Sequence, residues 1–435
     1  MTTFRIIFLG FLGIILAGTL LLMLPFASNG PGHAKFSEAL FTAVSATCVT
    51  GLIVQDTATY WSIFGKCIII IMIQIGGMGV ITVAIAMSLL FKRKIGLAER
   101  SLMQESISAF QLGGIVRMTS FILKVILAIE GIGAIALMPV FIPRFGVLKG
   151  ILYSFFHSIS AFCNAGFDLM GEEEKFSSMV HFQGNILLNV VLIILIFVGG
   201  IGFKTWEDVG KYKYKIKHYS MQSKMVLTLS IVLITVPAIY FFFGEYAGFP
   251  IKERVLSTLF QTIAPRTAGF NTSDLAAFSD TGKFVMIILM LIGGSSGSTA
   301  GGMKMTTICV LIASLKAVFT QKSEVTAFGR RIGNDAVIKA GVIFMVYNFL
   351  FVVAGCIISR LEGIPILDCL FETASAIATV GLTLGITPSL GLASRIIIMI
   401  LMFLGRVGGL TVVFAVLSDK KGNMGRLPEE KISIG

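Results

Sequence analysis

Residues Ala374–Gly385 read ASAIATVGLTLG, a Thr-Val-Gly run held between two apolar stretches. Three other stretches have the same form: SATCVTGL from Ser45, SAFCNAGF from Ser160 and IAPRTAGF from Ile263. Each follows an amphipathic stretch of helical spacing and contains one of four glycines: Gly51, Gly166, Gly269 and Gly381. The intervals between these glycines are 115, 103 and 112 residues, which indicates an internal repeat of four units.

The amino-acid composition indicates whether the chain lies in water or in a membrane. Of the 435 residues, 55% are hydrophobic and only 13% are charged, and the mean hydropathy is +0.91. Soluble domains carry about 25% charged residues. The chain is therefore predicted to be an integral membrane protein. Its first apolar run has the length of a spanning helix and no small-residue cleavage site, so it is not interpreted as a secretory signal.

Eight apolar segments can be marked along the chain, at 6–26, 64–90, 118–142, 185–203, 224–243, 283–311, 336–358 and 394–417. Alternate loops are rich in lysine and arginine, as in Lys92–Lys94, Lys211–Lys217 and Lys420–Lys421, whereas an outer loop holds the acidic run Glu172–Glu174. Basic loops stay in the cytoplasm, so we expect a multi-pass protein of the cell membrane with both termini cytoplasmic. The net charge of +12 is then explained by topology, and nucleic-acid binding is not indicated.

We call Gly51, Gly166, Gly269 and Gly381 the outer glycines. A second glycine-rich run recurs after each of them, as IGGMG from Ile75, VGGIG from Val198, IGGSSG from Ile292 and LGRVGG from Leu404. These glycines serve either close helix packing or a separate function, and the sequence leaves the two open. Each quarter thus reads as helix, re-entrant half-helix, extended glycine strand and helix. The predicted fold is an all-α membrane protein with eight transmembrane helices and four re-entrant pore helices around one pore.

Non-helical backbone at membrane depth is tolerated only where protein buries it or water reaches it. Glycine permits backbone angles that turn successive carbonyl groups toward an axis, and four such strands can replace the hydration shell of a monovalent cation, as TVGYG loops do in potassium channels. The predicted ion-binding residues are Val49, Thr50, Gly51, Asn164, Ala165, Gly166, Thr267, Ala268, Gly269, Thr379, Val380 and Gly381. The alternative is that these glycines only allow tight helix packing. Unlike channel strands, none continues as Tyr-Gly, so we expect one dominant site.

The third quarter departs from its own repeat. Its second apolar segment is interrupted by ten residues rich in glycine and serine: Gly293, Gly294, Ser295, Ser296, Gly297, Ser298, Thr299, Ala300, Gly301 and Gly302. Each Gly or Ser costs on the order of 0.5–1 kcal/mol of helix stability relative to Ala, which predicts a break, with a kinked helix as the alternative.

Two arginines lie in unusual places. Arg406 stands at the centre of the last apolar segment, where a charge is expected to face a pore or a partner, and we predict that it hydrogen-bonds the Gly/Ser run. Arg266 lies beside the third glycine strand, and we expect it to point away and pair with a carboxylate such as Glu253 or Asp274.

The four filter-like stretches, the APRTAGFNT run at Ala264 and the GGSSGSTAGGMK run at Gly293 resemble the Trk/Ktr/HKT superfamily of potassium transporters, and closely the KtrB membrane subunits of bacterial Ktr systems. The resemblance covers essentially the whole chain. It implies M1-P-M2 repeats on a pseudo-fourfold axis and potassium uptake, and it supports an intramembrane gate at Gly293–Gly302, to which the charge of Arg406 is expected to contribute. It also implies a homodimer in membrane lipid, with a cytoplasmic octameric ring of KtrA-type nucleotide-binding subunits.

The repeats are placed at residues 1–92, 113–210, 220–320 and 334–418, followed by a cytoplasmic tail at 419–435. No cofactor is expected beyond K+, with Na+ as a second ion that could take part. The six cysteines have no paired spacing, so neither a disulfide framework nor a metal cluster is indicated.

Two rival functions were weighed against potassium uptake. An enzyme is disfavoured because the four histidines lie apart and no HExxH or GxSxG motif is present. A proton- or sodium-coupled symporter working by alternating access stays open. Its usual sign is a carboxylate in a spanning segment, and Glu130 is the one that these segments contain.

Overall fold

The computed structural model describes residues 3–30, 32–80, 82–83, 96 and 115–408, and its regular structure is almost entirely helical. The α-helices of these ranges are α1 (Thr3–Leu22), α2 (Phe36–Thr47), α3 (Thr57–Tyr60), α4 (Ile63–Met78), α5 (Ile115–Phe145), α6 (Val147–Phe162), α7 (Ile186–Gly200), α8 (Phe203–Tyr212), α9 (Met221–Phe243), α10 (Ile251–Ile263), α11 (Asp280–Leu291), α12 (Met305–Phe319), α13 (Asn334–Glu362), α14 (Ile366–Ile377) and α15 (Leu392–Val407). Single 3-10 turns lie at Met170–Glu172, Val180–Phe182, Ile216–His218 and Thr387–Ser389. Strands β1 (Thr326–Ala327) and β2 (Arg330–Arg331) form an antiparallel hairpin.

Four helices within the described ranges are long and apolar enough to cross a membrane. They are Arg5–Leu22, Met118–Phe145, Met221–Phe243 and Asn334–Glu362, and each opens one of the predicted quarters. A fifth span arises if the bent pair α7 and α8 is counted as one. The predicted segments 64–90 and 394–417 run into residues outside the described ranges, so the figure of eight spans stays a prediction. Parts of the predicted repeats 1–92, 113–210 and 334–418, the basic residues Lys92–Lys94 and the whole tail 419–435 lie there too.

The second helix of the third quarter is interrupted where the sequence predicts it. Helix α11 ends at Leu291 and α12 begins at Met305, with non-helical backbone between them. In contrast, the bend in the second quarter was not predicted: the apolar segment 185–203 ends as a helix at Gly200, and the chain then turns through 99° into α8. Gly202, with φ of +90°, makes that turn possible.

The four amphipathic stretches before the outer glycines are helices, as expected, and we call α2, α6, α10 and α14 the half-helices. Each carries a completely buried aromatic residue: Phe41, Phe162, Phe260 and Phe371. By contrast, the long helices leave large apolar side chains on the outside, such as Leu127, Ile231 and Phe349, each about two-thirds exposed. This distribution fits a molecule whose centre is formed by half-helices and whose surface faces lipid.

Candidate functional site

The end of each half-helix prepares the glycine strand that follows it. In the fourth quarter the amide of Val380 donates to the Ser375 carbonyl at 2.8 Å, and the amide of Gly381 donates to the Ser375 hydroxyl at 3.0 Å. Ser45 makes the same two bonds in the first quarter, to Thr50 at 2.8 Å and Gly51 at 3.1 Å. One serine therefore satisfies two amides that would otherwise be buried without a partner.

All four predicted strands share an unusual backbone. The residue two before each glycine has a positive φ although it is not glycine: Val49 (56°), Asn164 (58°), Thr267 (73°) and Thr379 (51°). The glycines are also left-handed, with φ between 67° at Gly166 and 95° at Gly51. Left-handed β-branched residues cost about 1–3 kcal/mol each and occur mainly at functional sites. We call Val49–Gly51, Asn164–Gly166, Thr267–Gly269 and Thr379–Gly381 the glycine segments.

The glycine segments meet in a closed cycle. A Cβ atom added to any of the four glycines would lie at most 2.8 Å from a carbonyl oxygen of another segment. Gly51 faces Ala165, Gly166 faces Ala268, Gly269 faces Val380, and Gly381 faces Thr50. The contacts thus run from the first segment to the second, third, fourth and back to the first, and only glycine fits this approach.

The facing carbonyl oxygens are not used by the fold. Within the described part of the chain, no backbone or side-chain donor bonds the carbonyls of Thr50, Ala165, Ala268 or Val380. The buried hydroxyls of Thr50 and Thr379 have no hydrogen-bond partner there either. Buried polar groups without a partner are costly unless a ligand or water satisfies them. Carbonyl and hydroxyl oxygens are the ligands that suit a dehydrated monovalent cation.

The third glycine segment is built differently from the other three. It follows Pro265 and has Ile263 where other half-helices have serine, and the amide of Ala268 bonds the Ala264 carbonyl at 2.9 Å. The side chains of Asn164 and Thr267 lie 3.3 Å apart and join the second segment to the third. The cycle is therefore closed without a serine in its third quarter.

The carboxylate partner expected for Arg266 is not found within the described ranges. Its guanidinium is buried and donates to the Ser230 hydroxyl at 3.1 Å, with the Met305 sulfur at 3.5 Å. No carboxylate of the described residues pairs with it, and Nε and Nη1 have no hydrogen-bond partner there. The side chain points behind the glycine segment, as expected, but into the interior of the protein, where Glu253 and Asp274 do not reach.

The ten predicted gate residues, which we call the Gly/Ser loop, lie against the second helices of two neighbouring quarters. The amide of Ser295 donates to Gly200 at 2.9 Å, and the amide of Gly302 donates to Gly405 at 3.3 Å. Gly301 lies so close to the Thr379 hydroxyl that a Cβ there would collide with it. The loop therefore lies directly beside the fourth glycine segment.

Arg406 makes the predicted hydrogen bond to the Gly/Ser loop. Its Nη1 donates to the Thr299 carbonyl at 2.5 Å, and its Nη2 donates to the carbonyls of Gly76 and, at 3.0 Å, of Gly77. The side chain thus joins α15, the loop and the end of α4. Hydrogen bonds to a charged donor in such a low-dielectric site are stronger than neutral ones.

Lys304 is a second cation at this place, and the sequence reasoning missed it. Its ammonium donates to the carbonyls of Ala300 at 2.7 Å and Gly301 at 3.4 Å. Both Lys304 and Arg406 line a cavity of about 290 Å³ below the loop. A lysine two residues after a Gly-Gly pair inside an apolar segment was the available signal.

For the glycines of the second helices, the structure supports close packing. Cβ atoms at Gly76, Gly199 and Gly405 would collide with carbonyl oxygens of Thr47, Phe162 and Ile377, the last residue of the half-helix in each quarter. These glycines therefore let each second helix approach the backbone that leads into its glycine segment.

The outer face of the cycle opens into a cavity of about 200 Å³ that is lined by the glycines of all four glycine segments. Two acidic residues, Asp168 and Asp274, also line it. Asp168 lies in the outer loop after the second glycine segment, where burial raises its pKa to about 7 and the nearby Asp56 adds to the increase. Carboxylates at a narrow mouth raise the local concentration of cations.

Three comparisons with known proteins agree. The family model "TrkH: Cation transport protein" matches residues 4–423. The chain is 40% identical to the "Potassium/sodium uptake protein NtpJ" of Enterococcus hirae, over 99% of this chain and 97% of that one. It is 36% identical to the "Ktr system potassium uptake protein B" of Bacillus subtilis, over 99% and 96% of the two chains.

A solved structure shows the same fold. The potassium transporter TrkH of Vibrio parahaemolyticus is 19% identical and superposes with a TM-score of 0.73 over 95% of this chain and 84% of that one. The sequence resemblance is thereby confirmed, and so is the expectation of a transporter rather than an enzyme. With a matching model over nearly the whole length and relatives of this identity, the chain belongs to the TrkH family of cation transport proteins.

Proposed function

We propose that this protein takes up potassium through the ring of glycine segments. The observation that carries the proposal is the set of four buried carbonyls, one from each quarter, that no donor of the described residues satisfies and that face one another around the cycle. Such oxygens can replace the water around K+. Two relatives that match over nearly their full length are named as potassium uptake proteins, which supports the same cargo. K+ is the substrate here, and no other cofactor is proposed.

The proposed architecture is four M1-P-M2 repeats around a pseudo-fourfold axis, with eight membrane spans. Four long apolar helices, four buried half-helices and the cyclic contacts of the glycines support it. The exposed basic residues between α8 and α9, Lys213, Lys215 and Lys217, support a cytoplasmic position for that loop. The protein then lies in the plasma membrane, with both termini in the cytoplasm.

The Gly/Ser loop and Arg406 are proposed as the gate of this path. The loop lies beside the fourth glycine segment, and Arg406 connects it to helices of the first and fourth quarters. A guanidinium below the ring repels a partly dehydrated cation, so the state described here is a closed one in this proposal. Opening of the gate requires the hydrogen bond between the Arg406 guanidinium and the Thr299 carbonyl to break.

The proposed partners follow from the Ktr name of two relatives, from Bacillus subtilis and Vibrio alginolyticus. They are a second copy of this chain, membrane lipid, and a cytoplasmic octameric ring of KtrA-type nucleotide-binding subunits, without nucleic acid. If the ring docks on the basic loop at Lys211–Lys217, charge reversal there should weaken co-purification with a KtrA-type protein, most at low salt. Co-purification that is indifferent to both changes would place the contact elsewhere.

Coupled transport with Na+ or H+ is a second candidate, because one relative is named for potassium and sodium uptake. Glu130 is buried, and its carboxyl accepts from Gln74 at 3.0 and 3.1 Å. It has no cationic partner among the described residues. Under this candidate Glu130→Gln changes the dependence of potassium uptake on pH or Na+. Intact uptake with the same dependence would leave the uncoupled path.

Growth rescue tests the potassium proposal directly. A bacterium that lacks its own potassium uptake is given this chain with and without a KtrA-type subunit, on limiting potassium. The proposal requires rescue by the wild type with the subunit, at lower external potassium than the host alone needs. Failure to rescue, with the protein present in the membrane at normal amounts, contradicts potassium uptake.

A further inference from the structure

Two half-helices hold the chain beyond their glycine segments through the same position. His157 lies nine residues before Gly166, and Glu372 lies nine residues before Gly381. The amide of Leu169 donates to His157 Nε2 at 3.1 Å, and the amide of Leu384 donates to Glu372 Oε1 at 3.3 Å. Both amides belong to the third residue after the glycine. Two quarters with different side chains therefore make one equivalent contact.

The Glu372 carboxyl also accepts from two hydroxyls of the chain that follows Gly381. It accepts from the Thr383 hydroxyl, and its Oε2 accepts from the Thr387 hydroxyl at 2.9 Å. Thr383 in turn accepts from the amide of Gly385 at 2.9 Å. The Glu372 side chain is fully buried, so its bond to Thr387 is shielded from water, whereas the bond between Gly385 and Thr383 lies at the surface. The residues that leave the fourth glycine segment are thus tied to one carboxyl group.

The His157 ring is fixed in one tautomer by its two neighbours. Its Nδ1 lies 2.7 Å from the Tyr153 carbonyl, which can only accept, so Nδ1 carries the hydrogen. Nε2 is then the acceptor that the amide of Leu169 needs. The ring also stacks on Phe141, with 5.0 Å between the centroids. A neutral imidazole therefore does in the second quarter what the carboxyl does in the fourth.

The other two quarters do not have this contact. The equivalent position of the first quarter is Thr42, whose hydroxyl bonds the Glu38 carbonyl of its own helix at 2.9 Å. The Glu38 carboxyl accepts from the side chains of Gln55 at 3.0 Å and Tyr60 at 2.7 Å, and from no backbone amide of the described residues. In the third quarter the position is occupied by Phe260, which has no acceptor. The contact is a property of two opposite segments of the cycle.

We infer that Glu372 and His157 are positioning residues that set the discrimination between K+ and Na+. A glycine segment is held at its inner end by the half-helix and at its outer end by this acceptor, so the spacing of its free carbonyls depends on both. An outer end that is released lets the carbonyls follow a smaller ion, and the preference for K+ falls. This inference rests on the proposed potassium path and adds the residues that fix its selectivity.

The test uses the purified full-length protein together with a KtrA-type subunit in liposomes, with K+ and Na+ flux measured separately. Glu372→Gln keeps an oxygen for the Leu384 amide and an amide group for the Thr387 hydroxyl, so its K+/Na+ ratio should stay within about twofold of wild type. Glu372→Met removes the acceptors at similar volume, and the ratio should fall about tenfold, because the Leu384 amide and the buried Thr387 hydroxyl both lose their acceptor. Glu38→Met is the matched control, a buried half-helix glutamate without a backbone contact, and should leave the ratio unchanged.

Thr383→Val carries the same test from the other side if Glu372→Met does not fold, and it should lower the ratio about threefold. His157→Leu removes the equivalent contact of the second quarter and should also lower the K+/Na+ flux ratio. An unchanged ratio in Glu372→Met or in Thr383→Val contradicts the inference, and so does an equal loss in Glu372→Gln, which would assign the effect to charge. Wild-type protein without K+ flux would overturn the proposed function itself, whereas selective flux that none of these variants alters overturns only this inference.

Discussion

The third and fourth quarters are neighbours in the cycle and are built from the same repeat, yet each departs from it where the other conforms. The third quarter breaks its second helix between Leu291 and Met305, whereas α15 continues to Val407 through the corresponding part of the fourth. The break exposes backbone carbonyls, and the continuous helix carries the arginine that binds one of them, at Thr299. The two departures complete one contact, so neither quarter is a degraded copy.

Their arginines show the same contrast in energetic terms. Arg406 donates to three backbone carbonyls. Arg266 has a hydroxyl, a sulfur atom and the Phe197 ring at 6.0 Å, and it leaves two of its nitrogens without a hydrogen-bond partner in the described residues. Burying a charged group costs several kcal/mol unless hydrogen bonds compensate. Arg406 is therefore a stabilising connection between quarters, and Arg266 is a net cost to the third.

The largest effect is expected at the contact between the fourth quarter and the first. Gly381→Ser introduces a Cβ against the Thr50 carbonyl at a φ of +94°, and the apparent potassium affinity should fall about 100-fold, with weaker discrimination against sodium. Gly385→Ser is the matched control, because Gly385 has a φ of +90° but no atom within 4 Å of the added Cβ. Uptake kinetics and ion competition measure both variants. Equal losses in the two would reduce the effect to backbone strain and leave the ring contact without a role.

Breaking the contact between the third and fourth quarters should raise flux. Arg406→Gln removes the charge below the ring, so maximal potassium flux without the regulatory subunit should rise about tenfold while the apparent affinity stays the same. Deleting residues within Gly293–Gly302 should have the same effect, and the double variant should add little. Liposome flux of the two single variants and the double variant decides this. Additive gains would mean two independent barriers, and an unchanged single variant would remove Arg406 from the path.

The two arginines should differ in stability as well. Arg406→Met leaves three buried carbonyls without a donor and should lower the free energy of unfolding by about 3–5 kcal/mol, whereas Arg266→Met removes a poorly compensated charge and should change it by less than about 1 kcal/mol. Unfolding in detergent with increasing denaturant gives both values. A large loss in Arg266→Met would show that its charge is compensated after all.

The smallest effect concerns the serine that the third quarter lacks. Ser375→Ala removes the hydroxyl that accepts from the Gly381 amide, which should cost about 1 kcal/mol of stability and lower potassium affinity by a few-fold. Ser45→Ala should do the same in the first quarter. Thermal unfolding and uptake affinity measure the changes. If neither variant differs from wild type, the serine hydroxyls are dispensable and a glycine segment holds its conformation without one, as the third segment does.

The sequence predicts the elements of the fourth quarter and the break in the third because both depend on local chemistry. Half-helix spacing, the outer glycines and the poor helix propensity of Gly293–Gly302 are readable one segment at a time. The partners of Arg266 and the contact of Lys304 depend on which helices pack behind each segment, and a single sequence does not contain that information. The 99° turn after Gly200 was missed because an apolar run gives no sign of where its helix ends.

The order of contacts around the glycine cycle gives the ring a direction. Each glycine faces the carbonyl that precedes the glycine of the next segment, in the sense first to second to third to fourth. A side chain added at Gly51, Gly166 or Gly381 would press on the following segment, whereas one at Gly269 would also press on Gly166 of the preceding segment. We therefore expect a change at one of these glycines to be compensated in the following segment, and for the third segment in either of its neighbours.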